Sequence, residues 1–297
     1  MSAEAATGTD AAGALDASGP AAARRERFRL LLRSPTFLIG AFVILFWIVC
    51  ALFGQYFVPV DPYADDMMAT LAPPSAAHWF GADSIGRDVF SRVIIGSRDI
   101  LTIAPLATLL GTVVGASIGL LVGYFRGLID DTVSRLVDAV LALPLVIVAV
   151  LALVAIGKTS SVTVVIVIGL VFSPIIARTV RTAVMLEREL DYVAAAKLRG
   201  ESAFYIMFVE ILPNVMPPIL VEATVRLGYA IFTVATLSFL GFGIQPPSPD
   251  WGVAISESYG MINGGAWWTV LYDALAIASL VVAVNLVADA IHGVFET

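Results

Sequence analysis

Long uncharged apolar runs separated by short charged segments set the pattern of this chain. Residues 1–23 are mostly Ala, Gly, Ser, Thr and Asp without apolar periodicity, which reads as a disordered tail. RRERFRLLLR (24–33) follows, and then an uncharged run over 35–60, too long for a signal-peptide core and without a clear cleavage site. Further apolar runs cover 100–125, 139–157, 162–177, 217–244 and 266–288. About 20 apolar residues cross a bilayer as a helix, and only helices or closed barrels satisfy their backbone there. The pattern therefore predicts an all-α integral membrane protein of six spans. Its parts are a cytoplasmic tail (1–33), a first span (34–60), an extracytoplasmic segment (61–99) and a core of five spans (100–297). Pro105, Pro144 and Pro174 fall inside these runs, where neighbouring helices can repair the missing hydrogen bond.

Composition supports the membrane reading. Of 297 residues 59% are hydrophobic and 14% charged, against about 25% charged in soluble chains. The mean hydropathy is +0.92. A net charge of −7 leaves no basic footprint for nucleic acid. Cys50, the single cysteine, sits in an apolar run and reads as a core thiol.

If the amino terminus is cytoplasmic, 12 of the 17 Lys and Arg fall in inner segments: Arg24, Arg25, Arg27, Arg29, Arg33, Arg126, Arg135, Arg178, Arg181, Arg188, Lys197 and Arg199. Arg87, Arg92, Arg98 and Lys158 fall outside, and Arg226 falls in a span. This asymmetry predicts that both termini are cytoplasmic.

In the second span Gly111, Gly115, Gly119, Gly123 and Gly127 recur at every fourth position, on one helical face. Such a stripe lets another backbone approach closely, or leaves room for a pathway; close packing is the commoner use. The fifth span carries Glu222 and Arg226, spaced to pair on one face. Intramembrane charges are costly and face a cavity or the bundle interior. The pair either meets a translocation path or gate, or seats the segment that precedes it; the second reading is favoured, because only about 13 Å of helix separates Pro213 from Glu222. Asp138 and Asp289 stand at span edges and read as interfacial caps.

The inner segment 188–214 includes DYVAAAKLRGESAFYIMFVEILPN (191–214). Asp191 can cap a short helix rich in alanine, Gly200 can end it in the left-handed conformation, and Ser202 can cap a second helix up to Leu212, ahead of Pro213. An elbow of two helices results, either offering Ala194, Ala195 and Ala196 to a partner or lying as a plain connector at the headgroups.

That segment resembles the coupling loop of permeases in binding-protein-dependent ABC importers. Ala195, Ala196, Gly200, Leu212 and Pro213 stand at the family spacing, while Ala194 replaces the usual Glu. Two further stretches, LAPPSAAHWFGADSIGRDVFSRVIIGSRDIL (71–101) and LSFLGFGIQPPSPDWG (237–252), with NLVADAIHGVF (285–295), are similar to the C-type permease of dipeptide, oligopeptide and nickel importers. Val234 stands where that class often has Glu. The resemblance implies the type I importer permease fold and a coupling loop that includes Asp191 and Tyr192. It also implies a second homologous permease, two ATP-binding subunits that hold ATP and Mg, and an extracytoplasmic substrate-binding protein. Nickel, haem or another small ligand is the alternative cargo to peptides. The chain itself, surrounded by membrane lipid, is expected to bind no cofactor and to catalyse nothing.

The outer segment 61–99 also makes sense as physics. Its alternating charges and apolar residues predict an amphipathic helix on the membrane, serving as a strut or, less favoured, as a rim for the binding protein. ALVAIGKT (152–159) imitates a nucleotide-binding loop but follows a span rather than a strand. His78 and His292 have no ligand cluster at metal spacing. A proton-driven transporter would want more acidic or His groups within spans than Glu222 alone supplies.

Overall fold

The computed structural model describes residues 31–157 and 160–295. The stretch expected to be disordered, residues 1–23, lies outside the described residues, as do residues 24–30 of the basic segment and Lys158. Among those described, the chain is helical, with one isolated bridge between Ala82 and Asp88 and no strand. Ten helices suffice to describe it: α1 (Pro35–Phe53), α2 (Val89–Phe125), α3 (Leu128–Leu141), α4 (Leu145–Ile156), α5 (Ser161–Glu187), α6 (Asp191–Leu198), α7 (Ala203–Tyr205), α8 (Leu212–Phe239), α9 (Trp251–Ser258) and α10 (Trp268–Phe295).

Five stretches are long and apolar enough to span: α1, α2, α5, the continuous run Ala203–Phe239 and α10. The run over 139–157, expected as one straight span, is broken. α3 and α4 meet at 94° across a gap at Ala142–Pro144, and Pro144 stands before α4 rather than inside a helix. Pro144 supplies no N–H to a helix continuing through it, and it steers Leu143 out of the helical region. α4 alone is about 18 Å long, short of a hydrocarbon core of roughly 30 Å. Counting the bent pair as one span gives six.

The outer segment also differs from expectation. Its apolar and charged positions form no separate surface helix; they are the first third of α2, capped by Asp88 through the Ser91 amide at 2.8 Å. Val89, Arg92, Val93 and Ile94 are buried because α9 and α10 fold over them.

α2 and α5 form the core of the bundle. A Cβ on Gly111, Gly115, Gly119 or Gly123 would stand 2.6–2.9 Å from the carbonyls of Gly169, Ser173, Ala177 and Arg181 respectively, with each pair 58 positions apart. The constant offset means that the two helices run parallel with their backbones nearly touching. Gly127 is not part of this seam: with φ +73° it turns the chain into α3. On the same register Ser161 is level with Ile103, so residues 89–102 of α2 project about 21 Å past the start of α5. That projection and α9 build a cap at one end of the bundle; α3 and α6 lie at the other, the elbow end. Asp138 and Asp289 lie within α3 and α10 and cap neither.

The cap is held by buried charge. Arg87 donates to Asp83 Oδ2 at 2.7 Å and to Glu257 Oε2 at 2.6 Å, and Arg92 stands 3.9 Å from both carboxylates. Burial lowers the pKa of Arg87, but the hydrogen bonds and charges of Glu257 and Asp83 outweigh it and hold the value above the ordinary one. Trp251, fully buried, donates to the Val93 carbonyl at 2.8 Å, and Gly96 lets the Pro249 carbonyl approach α2. Asp250 caps α9, and burial pushes its pKa up to about 6. Arg87 and Arg92 are thus turned inward and tie this segment to the cap.

Candidate functional site

The elbow forms as the residues dictate, with two corrections. Asp191 is the first residue of α6 but makes no capping bond; Leu190 precedes the helix and offers no side-chain acceptor. The second helix does not stop at Leu212. It runs from Ala203 through one π turn, Ile206–Ile211, into α8 and on to Phe239. Pro213 lacks the N–H that an α-helix would use there, and the extra residue of a π turn absorbs the mismatch. The Asn214 side chain donates to the Glu210 carbonyl at 2.9 Å.

Between the two helices the chain makes a Schellman turn. Gly200 has φ +78°, its N–H reaches the Lys197 carbonyl at 3.0 Å, and the Glu201 N–H reaches the Ala196 carbonyl at 3.2 Å. Ser202 then accepts from the Tyr205 amide at 3.2 Å. Arg199 ties the two arms together by donating to Glu210 at 2.8 Å.

One face of the elbow is anchored and the other is bare. Val193, Ala196, Ile206, Met207 and Ile211 are buried against the bundle. Tyr192 donates to Glu187 at 2.7 Å, and burial together with that bond raises its hydroxyl pKa. Arg188 donates to the Tyr124 carbonyl, joining the end of α5 to the end of α2. On the bare face stand Ala194 and Ala195, with Leu198 (91% exposed), Phe204 and Phe208 beside them. Leu212 is half-buried and Pro213 exposed. Of the three alanines, then, Ala196 belongs to the core and two are available. The sequence reading missed Leu198, Phe204 and Phe208; large apolar side chains on a charged, water-facing loop were the available signal.

Further along the same helix, Arg226 donates to Glu222 at 2.5 Å, and Thr179 of α5 donates to the other Glu222 oxygen at 3.4 Å. The Arg226 guanidinium also lies 5.1 Å from the Tyr229 ring centre. Both charges are about 15% exposed, paired rather than isolated. Val234 is fully buried in the core. Gly157 ends α4 in the left-handed conformation, so the phosphate-loop look-alike follows a helix. Among the described residues no group of three His, Cys, Asp or Glu is arranged to hold a metal.

Residues 115–297 match the family model described as binding-protein-dependent transport system inner membrane component. Residues 24–74 match the N-terminal transmembrane domain of oligopeptide transport permease C. The dipeptide transport system permease protein DppC of Alkalihalophilus pseudofirmus is 36% identical over 92% of this chain and 89% of its own. The glutathione transport system permease protein GsiD of Pectobacterium atrosepticum is 35% identical over 92% and 90%. Among solved structures, a chain of the inward-facing MetNI methionine ABC transporter superposes with a TM-score of 0.56, covering 68% of this chain and 96% of that one, at 21% identity. That last likeness concerns fold alone.

Proposed function

The chain belongs to the family of binding-protein-dependent transport system inner membrane components, and on that premise we propose that it is the C-type permease of an importer moving di- and oligopeptides across the inner membrane. It is a multi-pass transporter subunit that works with other subunits of an ABC system, and by family it is not an enzyme. The finer composition is part of the proposal: a second homologous permease, two ATPases that hold ATP and Mg, and an extracytoplasmic binding protein. Both termini are placed in the cytoplasm on the charge asymmetry of the loops. Peptide cargo is favoured because relatives named for dipeptides and for glutathione, itself a peptide, align over about nine-tenths of the chain.

The observation that carries the mechanism is the elbow, hydrogen-bonded at its turn, anchored on one side and bare on the other. An ATPase gripping Leu198, Phe204 and the exposed Ala194 and Ala195 would pull on a segment fused to α8, because no break intervenes between Ala203 and Phe239. Closure of the ATPases would then tilt α8 directly, with Glu222 and Arg226 riding on it. Alternating access follows if the partner permease moves likewise. Ala194, standing where the family pattern has Glu, brings no charge to this face, and exposed Leu198, Phe204 and Phe208 offer a grip of another kind.

Reconstituted with its partner subunits in proteoliposomes, the complex is expected to take up labelled dipeptide only with ATP and binding protein present. Uptake that persists without ATP would overturn the importer reading, whereas ATP-dependent uptake of nickel or haem in place of dipeptide would overturn the cargo alone. The polar pair gives a second expectation. Arg226→Gln alone leaves a partly buried carboxylate without its counter-charge, and should slow uptake about tenfold, roughly 1.4 kcal/mol. Glu222→Gln with Arg226→Gln removes both charges and should recover most of that loss. Equal rates in the single and double variants would show that the pair is not coupled.

A further inference from the structure

Two adjoining cavities open beside α1. The inner one, about 470 Å³, is walled by Ile44 and Ile48 of α1, Leu101 and Pro105 of α2, Leu227 of α8 and Leu280 of α10. The outer one, about 440 Å³, is edged by Gln55, Asp61, Tyr63 and Arg98. Ala51, Leu52 and Arg98 line both, so the apolar cavity leads directly into the polar one.

Depth decides what this arrangement suits. A Cβ on Gly54, just past the end of α1, would stand 2.8 Å from Ile94, so Arg98 lies one helical turn inward from the end of that span. On the α2–α5 register it also lies just outside the level of Ile103, where α5 begins. Tyr56 (75% exposed) and Phe57 follow Gly54, more than one turn outward of the Arg98 backbone, where aromatic side chains mark the boundary between hydrocarbon and headgroups; the long Arg98 side chain lines the outer cavity on the way to that boundary. Arg98 is exposed, and among the described residues its guanidinium makes no ion pair. Asp61, on the same rim, accepts the Tyr63 amide at 2.9 Å through one oxygen. An unpaired cation just below the headgroup boundary, a carboxylate lining the same outer cavity and an apolar slot running inward match the three parts of an amine-bearing phospholipid.

We infer that a membrane phospholipid is a resident ligand of this subunit, its phosphate on Arg98, its amine toward Asp61 and one acyl chain in the slot between α1, α2, α8 and α10. The lipid fills a wedge that side chains leave open and ties the outlying α1 to the bundle. An apolar slot with a few convergent polar groups at its mouth is the ordinary form of a ligand site. A helix of the second permease could fill the slot, but it would leave Arg98 without a counter-charge unless it brought an acid to that level.

The test uses the whole complex in nanodiscs of phosphatidylethanolamine and phosphatidylglycerol, each in turn carrying a photoactivatable group in its acyl chain, with labelled peptides located by mass spectrometry. Label is expected at Ile44, Ile48, Leu101 and Leu280. Arg98→Gln should lower it roughly fivefold for both lipids, as loss of one surface cation implies. Arg98→Lys should restore it, and Asp61→Asn should lower it for phosphatidylethanolamine only. Ile48→Trp, which fills the slot, should abolish it. The inference is overturned if label spreads over the outward residues Phe42 and Phe46 and ignores Arg98→Gln. It is equally overturned if a crosslinker placed at Ile48 captures the second permease while no lipid is labelled there.

Discussion

Gly200→Pro should abolish binding-protein-stimulated ATP hydrolysis and dipeptide uptake together while leaving the complex assembled. The reason is local. Gly200 holds φ +78°, and proline is fixed near −65°, so the turn cannot form as it stands. Proline also removes the N–H that reaches Lys197, and displaces the Glu201 N–H from Ala196. The arms joined by Arg199 and Glu210 would separate, and with them the relation between the gripped face and α8. Gly200→Ala supplies the graded comparison. A Cβ there meets nothing within 4 Å, so its cost is conformational alone, about 1–2 kcal/mol. Uptake by the alanine variant should fall between that of the parent and that of the proline variant. Size-exclusion of the purified complex separates loss of coupling from loss of assembly. Parent-like turnover in the assembled proline variant would mean that force does not pass through this turn.

Much of this architecture was legible because the bilayer constrains it strongly. Every long apolar run is helical over most of its length, and Gly200 and Ser202 do what their chemistry suggests. What escaped the reading depended on contacts made across the chain. The amphipathic pattern at 89–98 is the same for a helix on a membrane surface and for one covered by α9 and α10; only the buried partners of Arg87 and Arg92 distinguish them. The break at Ala142–Pro144 was hidden because proline is tolerated within spans, so its presence alone does not end one. Likewise Pro213 suggested a stop, whereas a π turn carries the helix past it. Among the candidate residues, spacing alone found the Glu222–Arg226 pair. Ala196 and the exposed Ala194 and Ala195 could not be told apart without knowing which face the bundle covers.

The glycine seam gives the second large effect, and it sets two principles against each other. In an exposed helix, replacing glycine by alanine stabilises by up to about 1 kcal/mol, because the backbone loses less freedom on folding. At Gly115 the sign should reverse. An added Cβ would stand 2.6 Å from the Ser173 carbonyl and 2.7 Å from the Ile176 Cβ, against backbone and a branched side chain that cannot swing away. The helices must part, and Gly111, Gly119 and Gly123, spaced along the same seam, lose their own contacts as they do. Overpacking of this kind costs about 1–3 kcal/mol, occasionally more. Gly115→Ala is therefore expected to lower the thermal midpoint of the purified complex, and Gly115→Leu to prevent the subunit from accumulating. Gly260→Ala, where a Cβ meets nothing within 4 Å, is expected to change little. If Gly115→Ala instead raises the midpoint, helix propensity has won and the stripe is open space rather than a contact. Transport would then be the property to measure along it, since a helix with room beside it can line a path.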